Sequence, residues 1–271
     1  MAFWDIFRKT PRNETRIPTA EEYVDLLNGR ELDALLDLAR GRLTSDSDDE
    51  LAWLMVAHAM IRRGRFSDAI ASLNELKRSA PEKSSLAHDL ASMCAREVEV
   101  TAATTQPQER ERLHEFDPWR DEDATEPVRG KAQLDDGSML EFSDLRDMDP
   151  TVGRRLVTFL LDRTLQVPFR AISTITLSPR SAIHFDDVWP PISVVLRDGE
   201  PFREVHCRAP VFYPSSLSHP EPLVASGRQT HFVDADGIPS ALGQRDFAFN
   251  TGGGETLVGI LNLAAVTFDD R

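Results

Sequence analysis

The sequence predicts an α+β chain: helical hairpins at the N-terminus, then a mostly antiparallel β-rich domain containing one helix. Three observations carry this. Apolar residues recur at helical spacing to about residue 98, a polar stretch follows from Thr101 to Val128, and short strand-like runs separated by turns begin near Gly130. The chain therefore reads as a helical domain (1–100), a linker (101–128) and an α+β domain (129–271). Its 271 residues suffice for two domains.

The composition is that of a globular protein, 41% hydrophobic and 28% charged, with a net charge of −14. So acidic a chain is a poor match for nucleic acid or an anionic membrane, because both need a basic footprint. No apolar run approaches a membrane span, and the start, MAFWDIFRKTPRNETR, lacks the pattern of a secretory signal. These features predict a cytoplasmic protein. Cys94 and Cys207 lie far apart and read as buried free thiols, not as a disulfide framework or a zinc site.

The elements run in order along the chain. Phe3, Trp4, Ile6 and Phe7 form a compact apolar patch, read as a short helix docked on the first helical repeat. Thr19 and Glu22 make a capping-box pattern ahead of Tyr23, Leu26 and Leu27. After Gly29, the residues Leu32, Leu35, Leu36, Ala39 and Leu43 draw one apolar stripe. Residues Ala52 to Pro81 then resemble a tetratricopeptide (TPR) repeat. Trp53, Val56, Ala57 and Met60 fall on its first helix, Gly64 on its turn, Phe66, Ala69 and Leu73 on its second helix, and Pro81 closes it. The stretch from Gly29 is a degenerate copy, 35 residues earlier. A further helix from Ser85 to about Val98 covers the end. In the linker, Trp119 reads as an anchor onto a neighbouring domain.

Beyond Gly130, the run KAQLDDGSMLEFSDL reads as two strands around Asp136-Gly137, and Pro150 to Leu161 as the one helix of this domain. The runs RAISTITL, ISVVL, EVHCRAPVFY, THFV and TLVGILNLAAVTF read as strands. Asn250 to Glu255 lacks the Lys-Ser/Thr ending of a phosphate loop and reads as a hairpin turn. Asp234-Ala-Asp-Gly237 lacks the remaining ligands of a calcium loop and reads the same way.

Neither a GxSxG elbow nor an HExxH pair is present. His184, Asp186 and Asp187 sit together, but successive strand residues face opposite sides, so at most His184 and Asp186 would converge. Arg245, beside Gln244, is suited to a forked pair with a carboxylate, with Asp147, Asp149, Asp186 and Asp187 as acceptors. A structural pair is the first reading and a partner contact the second. No catalytic, cofactor-binding or metal-binding residue is assigned.

With these residues placed, the C-terminal half resembles the ImpE/SciE/TagJ accessory proteins of bacterial type VI secretion systems. The matching pieces run in order: Asp147-Met-Asp149 with Gly153; Val167-Pro168-Phe169; Asp186 with Trp189 and Pro190; Asp198-Gly199; Tyr213-Pro214 with Ser216; Thr230; and Gly243-Gln244-Arg245. The sequence departs from the family at Thr151, where an Arg is usual, and at Gln166, where an aromatic is usual. The resemblance makes Asp147, Asp149, Phe169, Asp186, Trp189, Tyr213, Gln244 and Arg245 the candidate partner-binding or structural positions. It implies a non-enzymatic cytoplasmic protein that binds the small, TssB-like sheath subunit through a helix of that subunit. The implied effect is on sheath assembly, or on disassembly by a ClpV-type ATPase. It implies no cofactor, no nucleic acid and no membrane. The alternative is a TPR-type adaptor unconnected with secretion.

Overall fold

The computed structural model describes residues 31–106, 117–119, 124–149, 152–178, 188–198, 200–201, 203–213, 219–221, 230–235 and 238–269, with single positions 26, 108, 216 and 224. The apolar N-terminal patch, most of the capping-box helix and the His184–Asp187 cluster lie outside these residues. The chain divides into two compact units, Met1–Val98 and Glu99–Arg271.

The first unit is helical: α1 (Leu32–Ser45), α2 (Glu50–Arg62), α3 (Phe66–Ser79) and α4 (Ser84–Thr105). The division between units falls inside α4, which runs to Thr105, within the segment the sequence reads as a linker. Each helix forms for local reasons. The Asp49 carboxylate accepts the Ala52 N–H and caps α2. Gly64, at φ 65°, ends it in the left-handed conformation that glycine adopts without strain. Pro81 opens the short 3₁₀ turn before α4. Leu35, Ala39, Val56, Ala57, Met60, Ala69 and Leu73 are fully buried or nearly so where α1 packs on α2 and α2 on α3. The Trp53 indole N–H donates to the Ser47 carbonyl at 2.9 Å, so this tryptophan is buried with its polar atom satisfied.

The second unit is β-rich, which makes the whole α+β. Its strands are β1 (Gly130–Leu134), β2 (Met139–Phe142), β3 (Asp144–Asp147), β4 (Arg155–Phe159), β5 (Thr164–Pro168), β6 (Ile172–Leu177), β7 (Pro191–Leu196), β8 (Glu204–Arg208), β9 (His231–Ala235), β10 (Ile238–Leu242), β11 (Asp246–Thr251), β12 (Gly254–Gly259) and β13 (Leu263–Phe268). One sheet has the order β2-β1-β13-β6-β7-β8-β4-β5, a second β12-β11-β3, and β9 pairs with β10. Every pairing is antiparallel. The core holds Phe142, Phe169, Phe247, Phe249 and Phe268, packed edge-on except for the stacked pair Phe169–Phe268.

The one helix expected here, Pro150 to Leu161, is corrected. Gly153, at φ 60°, closes a turn, and Arg155–Phe159 is strand β4. Leu156, Val157, Thr158 and Phe159 are all buried. A strand covered on both faces reads as an unbroken apolar run, whose spacing imitates a helix. The run TLVGILNLAAVTF is likewise not one strand. A 3₁₀ turn, Ile260–Asn262, divides it into β12 and β13.

This unit contains one motif twice. β4, β5, a 3₁₀ turn (Phe169–Ala171) and β6 are followed 91 residues later by β11, β12, the second 3₁₀ turn and β13. The Phe169 N–H donates to the Arg154 carbonyl at 3.0 Å, and the equivalent Ile260 N–H to the equivalent Arg245 carbonyl at 3.0 Å. The two copies meet at β6 and β13, where the equivalent residues Ile175 and Val266 pair with each other, the mark of a pseudo-two-fold axis. β7 lies on β6 as β1 lies on β13, and both pairings carry a register shift at the same point.

Candidate functional site

The candidate residues do not form a single patch. Asp147 ends β3, whose partner is β11, and Arg245 immediately precedes β11. The ladder thus places the two side by side: Arg245 Nη1 donates to Asp147 Oδ2 at 2.5 Å. Both side chains are buried, 2% and 0% exposed. The other Asp147 oxygen accepts the Asp149 N–H at 2.8 Å, while Asp147's own N–H donates to the Gly153 carbonyl at 2.7 Å. Asp149 therefore contributes its backbone to the cluster, and its carbonyl accepts the Val152 and Gly153 N–H groups to close the turn into β4.

Tyr213 completes the arrangement. The Arg245 guanidinium lies 5.0 Å from the centre of its ring, within cation–π range. The Tyr213 hydroxyl donates to the Asp246 carbonyl at 3.2 Å and accepts the Asp246 N–H at 3.0 Å. Gln244 pairs with Phe212 in an isolated antiparallel bridge, its carbonyl accepts from the Thr230 hydroxyl, and its side-chain amide lies against Gly259. A Cβ on Gly259 would fall 2.4 Å from Gln244 Nε2, so a larger residue there would push the Gln244 amide aside. The Ser216 hydroxyl accepts the Gly243 N–H at 2.8 Å.

Burial sets the electrostatics. It pushes the Asp147 carboxyl up to about 6, opposed by the Arg245 charge and the Asp149 N–H. Burial also works against the Arg245 charge, but Asp147 beside it more than offsets this, and the guanidinium is held above its ordinary range. Burial, reinforced by Asp147, raises the Tyr213 hydroxyl well above the usual phenol range. The cluster is charged at neutral pH, and Arg245 Nε is buried with no hydrogen-bond partner among the described residues. It ties β3, the turn before β4, the segment around Tyr213 and the start of β11 into one knot.

The remaining candidates stand elsewhere. Phe169 belongs to the aromatic core, wholly buried against Phe247 and Phe268. Trp189 is 1% exposed, and its carbonyl accepts from Arg208 Nη1 at 2.5 Å. Asp186 lies outside the described residues. Cys94 and Cys207 are free and buried; burial raises both thiols, Cys207 to about 12.

Sequence reasoning missed three arrangements. Arg154, the equivalent of Arg245 in the first motif copy, forks onto Asp144 at 2.8 and 2.6 Å. Asp117 secures the edge of β5, where one of its oxygens accepts the Gln166 N–H at 2.9 Å. Trp119, read from sequence as an anchor, is 1% exposed and its indole donates to Glu200 at 2.8 Å. A pocket bounded by Arg129, Arg170 and Arg197 is the third. The internal repeat was the available signal for the first. However, Arg154/Arg245, Val167/Val258 and Thr176/Thr267 are the identities between copies from these arginines to the ends of β6 and β13, too few to see by eye.

The fold and this knot define a two-unit α+β protein, helical first and β-rich second, whose β unit is locked by a buried Arg–Asp–Tyr cluster. Residues 140–266 match the family model described as ImpE protein, so this segment is of the ImpE family. That membership associates it with type VI secretion. The whole chain is also similar to the X-ray structure of protein VPA1032 from Vibrio parahaemolyticus. The TM-score is 0.67 at 20% identity, over 92% of this chain and 98% of that one, a likeness of fold. No curated protein matches. Among the described residues no helix is long and apolar enough to cross a membrane, and no group of three or more His, Cys, Asp or Glu side chains is placed to hold a metal ion.

Proposed function

We propose that the chain is a non-enzymatic, cytoplasmic accessory protein of a bacterial type VI secretion system. In this reading it binds the small, TssB-like sheath subunit through a helix of that subunit, and so modulates sheath assembly or disassembly by the ClpV-type ATPase. The observation that carries the reading is the ImpE match over residues 140–266. The burial of the motif residues supports its non-enzymatic part: Asp147 and Tyr213 hydrogen-bond to Arg245 or to backbone below the surface, and Arg245 is 1% exposed. Paired helices such as α2 and α3 offer the kind of groove in which an amphipathic helix lays its apolar face.

The test is a pull-down of the full chain with its organism's own small sheath subunit, alongside the same subunit without its N-terminal helix. Binding that disappears with the helix is the expected result. Failure of the intact, folded subunit to bind overturns the reading.

A further inference from the structure

The repeated motif supplies an internal control for reading side chains. Where one half builds the same backbone without a given side chain, that backbone does not require the side chain. Near one end of β6 and β13 this comparison gives an answer. The Arg197 N–H donates to the Ala171 carbonyl at 2.9 Å, and at the equivalent point in the other half the Asp135 N–H donates to the Asn262 carbonyl at 2.9 Å. The Asp269 N–H donates to the Arg129 carbonyl at 3.0 Å, matched by the Ser178 N–H on the Pro191 carbonyl at 3.0 Å. The backbones correspond bond for bond.

The side chains do not correspond. Around a pocket of about 280 Å³ the first location gathers Arg129, Arg170 and Arg197. Their equivalents in the other half are Pro191, Leu261 and Asp135. None of the three is cationic. Arg197 also donates to the Arg170 carbonyl at 3.0 Å and the Asp269 carbonyl at 2.6 Å, yet Asp135 donates no such bonds and the same turn forms. The turn backbone thus forms in the other half without any of these arginines, and here three of them converge in a chain of net charge −14.

We infer that this pocket is a recognition site for a single carboxylate of a peptide, an acidic side chain or a chain end. Charge selects the ligand. Among the described lining residues the three guanidiniums outnumber the Glu126 and Asp269 carboxylates by one, which suits a monoanion better than a phosphate dianion. Guanidinium groups also match a carboxylate in a planar fork. A pocket of about 280 Å³ has room for the end group of one residue. Pro127 and Val128 add an apolar surface for the carbon stem of that group. The inference stands independently of the secretion reading, since it holds for any protein partner presenting such a carboxylate.

The test is an NMR titration of the full-length chain. The probes are N-acetyl-glutamate N-methylamide (side-chain carboxylate only), N-acetyl-alanine (chain-end carboxylate only), the uncharged glutamine analogue and inorganic phosphate. Saturable shifts of the Arg170 and Arg197 side-chain N–H signals are expected with a carboxylate probe and not with the glutamine analogue. The more effective carboxylate identifies the source. Arg170→Leu installs the residue the other half already tolerates, and Arg129→Ala alters an exposed position. Each is expected to weaken binding about tenfold with the native spectrum retained. The inference is overturned if neither carboxylate gives saturable shifts, if both variants bind as the wild type does, or if phosphate binds more tightly than both carboxylates.

Discussion

Arg245 and Asp147 are 98 positions apart in sequence and share one hydrogen bond. Removing Arg245 leaves the Asp147 carboxylate buried and unanswered, which costs far more than the pair itself is worth. Arg245→Ala is expected to destabilise the β unit by about 3–5 kcal/mol in urea unfolding at about pH 7. The double variant Arg245→Met/Asp147→Leu, which removes both charges and refills the space, should lose less. A larger loss in the double variant would show that the two residues act separately. The chemistry of Arg245 was legible from sequence, because a guanidinium beside Gln244 calls for a carboxylate. Asp147 stood among four acceptors, and the choice needed the β3–β11 register, which no local pattern contains. Gln244 against Gly259 and the Tyr213 hydroxyl on Asp246 were illegible for the same reason: each is a contact between segments distant in sequence.

Among elements, those with a strict period or a marked turn were the easiest to read. The stripe Leu32, Leu35, Leu36, Ala39 became α1, and Asp136-Gly137 became the β1–β2 turn, with Gly137 at φ 85° and the Asp136 carboxylate accepting the Ser138 N–H. β4 failed because burial on both faces erased the alternation that identifies a strand. β5 passed unread as an element, since at its edge Asp117 bonds the Gln166 N–H where another strand would. A side-chain carboxylate standing in for a ladder carbonyl leaves no strand-like pattern. The start of β1 carries a prediction of its own. A Cβ on Gly130 would lie 2.2 Å from the Thr267 carbonyl oxygen and 3.0 Å from Phe268 Cα, both backbone atoms of β13. Gly130→Ala must therefore part the β1–β13 pair, at a cost of about 1–3 kcal/mol, measurable as a lowered urea midpoint. Gly252→Ala, at a turn position with nothing near the added methyl, is the matched control and should change little.

For the whole molecule, the two units are expected to answer acid in opposite directions. His58, in the helical unit, is held neutral down to about 3, first by burial and then by the Arg62 charge. Its folded value lies below the unfolded one, so its stabilising contribution is complete above about 6.5 and is lost as the pH falls toward 3. Between pH 7 and 5 this removes about 2 kcal/mol from the helical unit. Asp147 has its folded value raised to about 6, so the folded β unit takes up a proton before the unfolded chain does. Over the same interval it gains about 1 kcal/mol. In a Trp4→Phe/Trp53→Phe background, urea unfolding at pH 5 should show helical circular dichroism lost before the fluorescence change of buried Trp119 and Trp189, with the gap narrowing at pH 7. His58→Leu should remove most of the acid sensitivity of the first transition. The duplicated motif has a consequence of a different kind. Ile175 on β6 meets its own equivalent, Val266, at the centre of the sheet, so β6 of a second molecule presents nearly the surface that β13 presents in the first. Refolding at high protein concentration thus has a built-in wrong partner, and halves exchanged between two chains are the entanglement this architecture must outrun by folding quickly within one.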